Sequence, residues 1–160
     1  MITCRKMTAA DVPDAFELLG AFLGEDEHYL ASSKAYGDRG TEGVIAALDL
    51  FLTRPELGFV WLAYDGVGPE ARIAGLCVIC FAISTSLGTL VGKLDDVSVR
   101  ADRRGQGIGT ALIQQLKQEL HRQRVMRIDV AVHLENPAGR RFYEQLGFAA
   151  LNEERLACLI

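Results

Sequence analysis

The sequence predicts one α/β domain organised around a single sheet, and three observations predict it. Its 160 residues suffice for one full hydrophobic core and are too few to expect two, so residues 1–160 are read as one domain. Apolar residues make up 49% and charged residues 24%, the balance of a globular chain rather than a disordered or fibrous one. Short strand-forming runs alternate with segments of helical period in the order β-α-α-β-β-β-α-β-α-β, which suits one mixed sheet with helices packed against it.

Each element carries its own signal. "ITCRKM" is a short strand. Thr8 followed by Asp11 makes a variant capping box that opens a helix to about Leu23. "GEDEHYLASSKAYGDRG" is a polar loop. From Thr41 the apolar positions Val44, Ile45, Leu48, Phe51 and Leu52 define a helical face that must end before Pro55. "GFVWLAYDG" and "RIAGLCVICFAIS" are strands with a turn around "DGVGPE". Ile73 to Gly92 is uncharged and long enough to span a membrane. It is broken by the turn composition "STSLGT", so two buried strands explain it better and no membrane partner is expected. "GTLVGKLDDVSV" is a further strand, and the stripe Ile108, Leu112, Leu116, Leu120 gives a helix to about Gln123. "VMRIDVAVH" is a strand, "NPAGRRFYEQLG" a short helix with Asn136 at its cap and Pro137 in its first turn, and "FAALNEERLACLI" a last strand or hairpin.

Charge narrows the partners. Seventeen Lys and Arg face twenty-one Asp and Glu, a net −4, and so no basic surplus exists to neutralise nucleic-acid phosphates. Residues 1–70 carry −7 and residues 71–160 carry +3, which suits a cationic ligand met by the first half and an anionic one held by the second. Solvated surface with chance asymmetry is the simpler account of the same pattern. Cys4, Cys77, Cys80 and Cys158 form no disulfide framework and no metal spacing, and they read as reduced, mostly buried thiols of a cytoplasmic protein. Cys77 and Cys80, three apart in one strand, face opposite sides of the sheet.

The most informative stretch is "RRGQGIGTAL", Arg103 to Leu112, where glycine recurs at 105, 107 and 109 just as a helix must begin. A strand, a glycine-rich turn and a helix N-terminus in series form an anion site: unpaired N–H groups point outward, the helix dipole adds positive potential, and missing Cβ atoms admit phosphate oxygens. A P-loop would need Gly-Lys-Ser/Thr, and a dinucleotide fingerprint would follow the first strand, so neither fits.

"RGQGIG", Arg104 to Gly109, resembles the R/Q-x-x-G-x-G/A signature of the GNAT superfamily of N-acetyltransferases. The resemblance runs from about Leu94 to Phe148: "LDDVSV" is similar to the family's fourth strand and "ENPAGRRFYEQLGF" to its second cofactor motif. It implies a mixed, mostly antiparallel sheet with helices on both faces, splayed between strands four and five. It further implies acetyl-coenzyme A as acyl-donor cosubstrate, without a metal, and admits a homodimer.

Residue by residue, the resemblance implies that the amides of Arg104, Gly105, Gln106, Gly107, Ile108, Gly109 and Thr110 take the pyrophosphate. Arg103, Arg104, Arg140 or Arg141 would add charge, although 140 and 141 equally suit a solvated helix end. The backbone of Val97, Ser98 and Val99 would pair with the pantetheine arm and hold the oxyanion of a tetrahedral intermediate, their side chains being otherwise core. Asn136 would bond the cofactor as well as capping its helix. Tyr143 would protonate the departing thiolate, since a phenol with a reference pKa of about 10 keeps its proton at neutral pH; otherwise it is a core aromatic.

The acceptor half follows from chemistry. An ammonium has no lone pair, so a carboxylate or water chain must remove a proton before attack. Asp95 and Asp96 stand on the strand entering the glycine turn, where apolar residues belong, and resemble the acidic positions of polyamine and aminoglycoside acetyltransferases. Strand parity alone does not rank them. Glu25, Asp26 and Glu27 suit a cationic substrate or a solvated loop, and His28 and His133 stay outside the main assignment. The expected activity is direct acetyl transfer to a primary amine of a small cationic molecule. A peptide or protein N-terminus or lysine is the second option, and a non-catalytic coenzyme A sensor is the reading from another class.

Overall fold

The computed structural model describes residues 1–160, except for the side chain of Pro69. Five strands form one sheet in the order β1 (Ile2–Lys6), β2 (Gly58–Asp65), β3 (Arg72–Ser84), β4 (Thr89–Val99), β5 (Ile128–Val130). The pairs β1–β2, β2–β3 and β3–β4 are antiparallel, and β4–β5 is parallel. Six helices accompany it: α1 (Val12–Glu25), α2 (Glu27–Leu30), α3 (Ser33–Tyr36), α4 (Gly40–Thr53), α5 (Ile108–Arg122) and α6 (Pro137–Gln145). The mixed, mostly antiparallel layout expected from the sequence is the one observed.

Alternation along β2 divides the core in two. Phe59, Trp61 and Ala63 face α5, whose Ile108, Leu112, Ile113, Leu116 and Leu120 are buried against them. Val60 and Leu62 face the other way, onto Ala15, Leu18 and Leu19 of α1 and Val44 and Leu48 of α4. Helices therefore cover both faces, and the period-2 strand between them needs no polar residue over its first six positions. Cys77 and Cys80 do fall on opposite faces. All four thiols are free, but only Cys77 is buried, and Cys158 is exposed, which corrects the expectation of mostly buried thiols.

Two polar devices secure the edge strand β1. Gln115 of α5 accepts the Cys4 N–H at 3.0 Å and donates to the Ile2 carbonyl at 3.1 Å, satisfying backbone groups that an edge leaves open. Asp11 is buried and receives both Arg5 nitrogens (2.6 and 2.8 Å), the Tyr64 hydroxyl (2.6 Å) and the Thr8 N–H (2.8 Å). The Thr8–Asp11 capping signal thus anchors β1, the start of α1 and β2 together. These donors hold the Asp11 carboxyl well below the usual carboxylate range.

Three expectations need correction. The segment 24–40 is a pair of one-turn helices, α2 and α3, rather than a plain loop: Asp26 caps α2 by accepting the Tyr29 N–H at 2.7 Å. The fifth strand is three residues instead of about nine, because its partner β4 turns away beyond Leu94, the last residue paired with it. The final strand or hairpin is absent: residues 148–160 have no regular structure and 149–160 are exposed. A strand needs a neighbour, and β5 ends too early to supply one.

Candidate active site

The turn between β4 and α5 shows what the glycines do. Gly105 and Gly107 adopt φ of +75° and +78°, and a Cβ on either would meet nothing within 4 Å, so they are needed for backbone conformation. Gly109 serves packing: a Cβ there would stand 3.4 Å from the Phe142 ring, the contact that seats α6 on the first turn of α5. Among the described residues, the N–H groups of Gly105 to Thr110 donate to no backbone carbonyl, and intrahelical bonding begins with Ala111 to Gly107 at 2.9 Å. Arg104 differs, its N–H reaching the Ala101 carbonyl at 3.5 Å. Six open amides at the positive end of a fifteen-residue helix fit a diphosphate. The expected arginines are largely committed elsewhere: Arg103 to Asp65 (2.9 Å), Arg140 to Glu144 (2.8 Å) and Arg104 Nε to the Val99 carbonyl (3.2 Å).

Beside this turn the sheet opens. Pairing of β4 with β5 stops at Leu94 and Val130, which leaves the β4 edge from Asp95 to Val99 without a strand neighbour on that side. Across the other edge, Leu76 pairs with Ser98 but Val78 with Asp95, so two residues of β4, Asp96 and Val97, oppose Cys77 alone. This is a β-bulge with Asp96 in the left-handed region at φ +52°. The bulge resets parity. Leu94 and Val97, an odd number apart, both pack on the α5 side, where Val99 joins them, and Ser98 is buried.

The bulge also separates the two acids that parity alone left equal. Asp95 pairs with Lys93 at 2.7 Å. Asp96 has no ion pair among the described residues, and burial, reinforced by the nearby negative charge of Asp95, raises its pKa to about 6. In α6, Tyr143 makes edge-to-face contacts with Phe142 and Phe148, at ring-centre distances of 5.1 and 5.4 Å, and packs against the α5-side core. Burial, then the neighbourhood of Cys77 and Asp95, drives its phenol well above the usual value. Asn136 caps α6 by accepting the Gly139 N–H at 2.9 Å.

Residues 24–148 match the Acetyltransferase (GNAT) family. The chain belongs to the GNAT acetyltransferase family. It is similar to an uncharacterized N-acetyltransferase of Methanocaldococcus jannaschii, at 27% identity over 91% of this chain and 60% of that protein; it thus spans about three fifths of that curated relative's length. An integron cassette protein from the mobile metagenome of Cole Harbour Salt Marsh shares its structure at a TM-score of 0.77 and 26% identity, over 98% of this chain and 90% of that one. A predicted acetyltransferase with acetyl-CoA from Clostridium acetobutylicum shares the fold at a TM-score of 0.67 and 17% identity, over 97% and 94% of the two chains.

Within this GNAT domain the structure adds Tyr29, Tyr36 and Asp38, which sequence reasoning did not single out, and gives neighbours to Cys80, His28 and His133. Tyr29 and Tyr36 stack with centroids 5.6 Å apart. The Tyr29 phenol is pushed up by burial and by the carboxylates of Asp38 and Asp96 nearby. Cys80 lies close enough to Asp95 and Asp96 for both to raise its thiol pKa, after the larger effect of burial. His28 and His133, seen in the sequence as isolated, stack at 5.1 Å and so join α2 to the segment after β5. Only the aromatic content of "DEHYLASSKAY" hinted at this cluster, since no periodicity marks a one-turn helix.

Proposed function

We propose that this GNAT domain transfers an acetyl group from acetyl-CoA to the primary amine of a small cationic acceptor by direct attack. One observation carries the reading: a bulged, half-buried Asp96 with a pKa near 6 lies at the unpaired edge of β4, on the strand that leads into six open amides. Acetyl-CoA, when bound, supplies the activated acyl group. The amides of Gly105 to Thr110 would hold its diphosphate, and the free edge at Val97 to Val99 would pair with its pantetheine arm. Asn136 retains its amide nitrogen for the same cosubstrate while its oxygen caps α6.

Asp96, ionised at neutral pH, takes the proton from the acceptor's ammonium and exposes a nitrogen lone pair. Asp95, paired with Lys93, adds negative charge that attracts the cation and keeps the Asp96 pKa up. Tyr143 keeps its proton throughout the neutral range and donates it to the leaving thiolate. The acidic charge at Asp38, Asp95 and Asp96 favours a cationic acceptor over a neutral one.

Release of free thiol from acetyl-CoA over a panel of polyamines, aminoglycosides, amino acids and peptides tests this. Thiol release with cationic amines supports it. Preference for peptides would reassign the acceptor, and tight coenzyme A binding without release for any amine would leave a sensor.

A further inference from the structure

The C-terminal segment, which forms no strand, lies against the end of α3. Leu159 packs on Gly37, where an added Cβ would stand 2.8 Å from its Cδ2. Arg155 places its guanidinium 5.8 Å from the centre of the Tyr36 ring. The same ring stacks on Tyr29, whose hydroxyl lies near Asp38 and Asp96. Arg155 is also close enough to Asp96 for its positive charge to favour the ionised carboxylate. One positive group of the protein thus already sits on an aromatic plate bordered by Asp38 and by the proposed base, Asp96.

We infer that the exposed face of Tyr36, with Tyr29 and Asp38 beside it, is a subsite for a second cationic group of the acceptor, and that Arg155 holds it until the acceptor displaces it. The inference rests on Asp96 receiving the reacting nitrogen. An aromatic face attracts alkylammonium and guanidinium alike, and the contact with Arg155 is exposed enough to exchange. A diamine or polyamine can reach both places at once, whereas a monoamine fills only the first. Competition by Arg155 lowers apparent affinity for such an acceptor, because the site must first be vacated.

Two measurements test this. The first is the ratio of KM for spermidine to KM for butylamine in the full chain. Arg155→Gln should lower it about fivefold, and Tyr36→Ala should raise it about fivefold, the worth of one exposed cation–π contact. The second needs no turnover: hexamethonium, a double quaternary ammonium with no transferable proton, is titrated while the Tyr29 and Tyr36 ring resonances are followed by NMR. Both rings should shift, with a Kd about fivefold lower in Arg155→Gln. Amines acetylated with an unmoved KM ratio, or Tyr36 resonances indifferent to hexamethonium, overturn the subsite and leave acetyl transfer standing. Hexamethonium binding without acetylation of any amine overturns the transfer reading and leaves the subsite. If Arg155→Gln instead raises KM for amino acids, Arg155 is a carboxylate anchor and the subsite is wrong.

Discussion

Desolvation shifts Asp96 and Tyr143 in the directions that their proposed opposite tasks require. Both are desolvated, which disfavours the charged form of each, so the carboxylate becomes a stronger base and the phenol keeps its proton more firmly. The acidic limb of kcat/KM is therefore expected near pH 6, with activity falling as pH drops through that value and Asp96 takes up its proton. Asp96→Asn should remove that limb and reduce kcat/KM about 10²- to 10⁴-fold, the range for one positioned acid or base. Asparagine tolerates the left-handed conformation, so the bulge should survive the change. A pH–rate profile that keeps its limb in the variant would move the base elsewhere. Tyr143→Phe should cut kcat about tenfold or more while coenzyme A affinity, read by calorimetry, changes little. Equal turnover in the two proteins would leave Tyr143 as a packing residue between Phe142 and Phe148.

At the scale of elements, the strand-turn-helix unit from β4 to α5 predicts a separable effect. Gly107→Ala forces a side chain into φ +78°, at a strain of about 1 kcal/mol, and adds a methyl group beside the open amides. Coenzyme A affinity should fall well beyond what the lost stability explains, and calorimetry paired with thermal unfolding separates the two. This unit was legible in the sequence because its signals are local: glycine at 105 and 107 and the four-residue stripe from Ile108 to Leu120, just as the Asn-Pro cap at 136–137 made α6 legible. The bulge at Asp96 was not, since an extra residue in a ladder is defined by the partner strand, and "DDVSV" reads the same in either register. The last strand failed for a related reason. "FAALNEERLACLI" has apolar content, but strand formation depends on an available edge, and β5 ends at Val130. The cluster of Tyr29, Tyr36, Asp38 and Arg155 joins residues far apart in the chain through two one-turn helices, which leave no periodic trace.

For the molecule as a whole, Asp11 and Asp96 set opposite pH dependences of stability. The Asp11 carboxyl is held below its unfolded value by Arg5, Tyr64 and Thr8, so its contribution is present above about pH 4 and is lost as pH falls further. Asp11→Asn should therefore destabilise the protein at neutral pH by about 2 kcal/mol and flatten the acid limb of its unfolding curve. Asp96 runs the other way. Its folded pKa of about 6 lies above the unfolded value of 3.8, so the folded state binds the extra proton between those values and stability falls as pH rises through that window. At pH 7 and above, the ionised carboxylate in its half-buried site costs on the order of 2 kcal/mol. Asp96→Asn removes that charge without removing the side chain's shape. The apoprotein variant is expected to melt higher than the wild type at pH 8, by several degrees for a chain of this size, and to match it near pH 4. Activity should move in the opposite direction, making the variant more stable and nearly inactive, as expected where a catalytic group is kept charged in a poorly solvated place. Thermal unfolding at both pH values, with the same samples assayed for thiol release, decides it. Equal melting temperatures at pH 8 would mean that Asp96 is better solvated than its place in the bulge implies, and that its basicity comes from Asp95 alone.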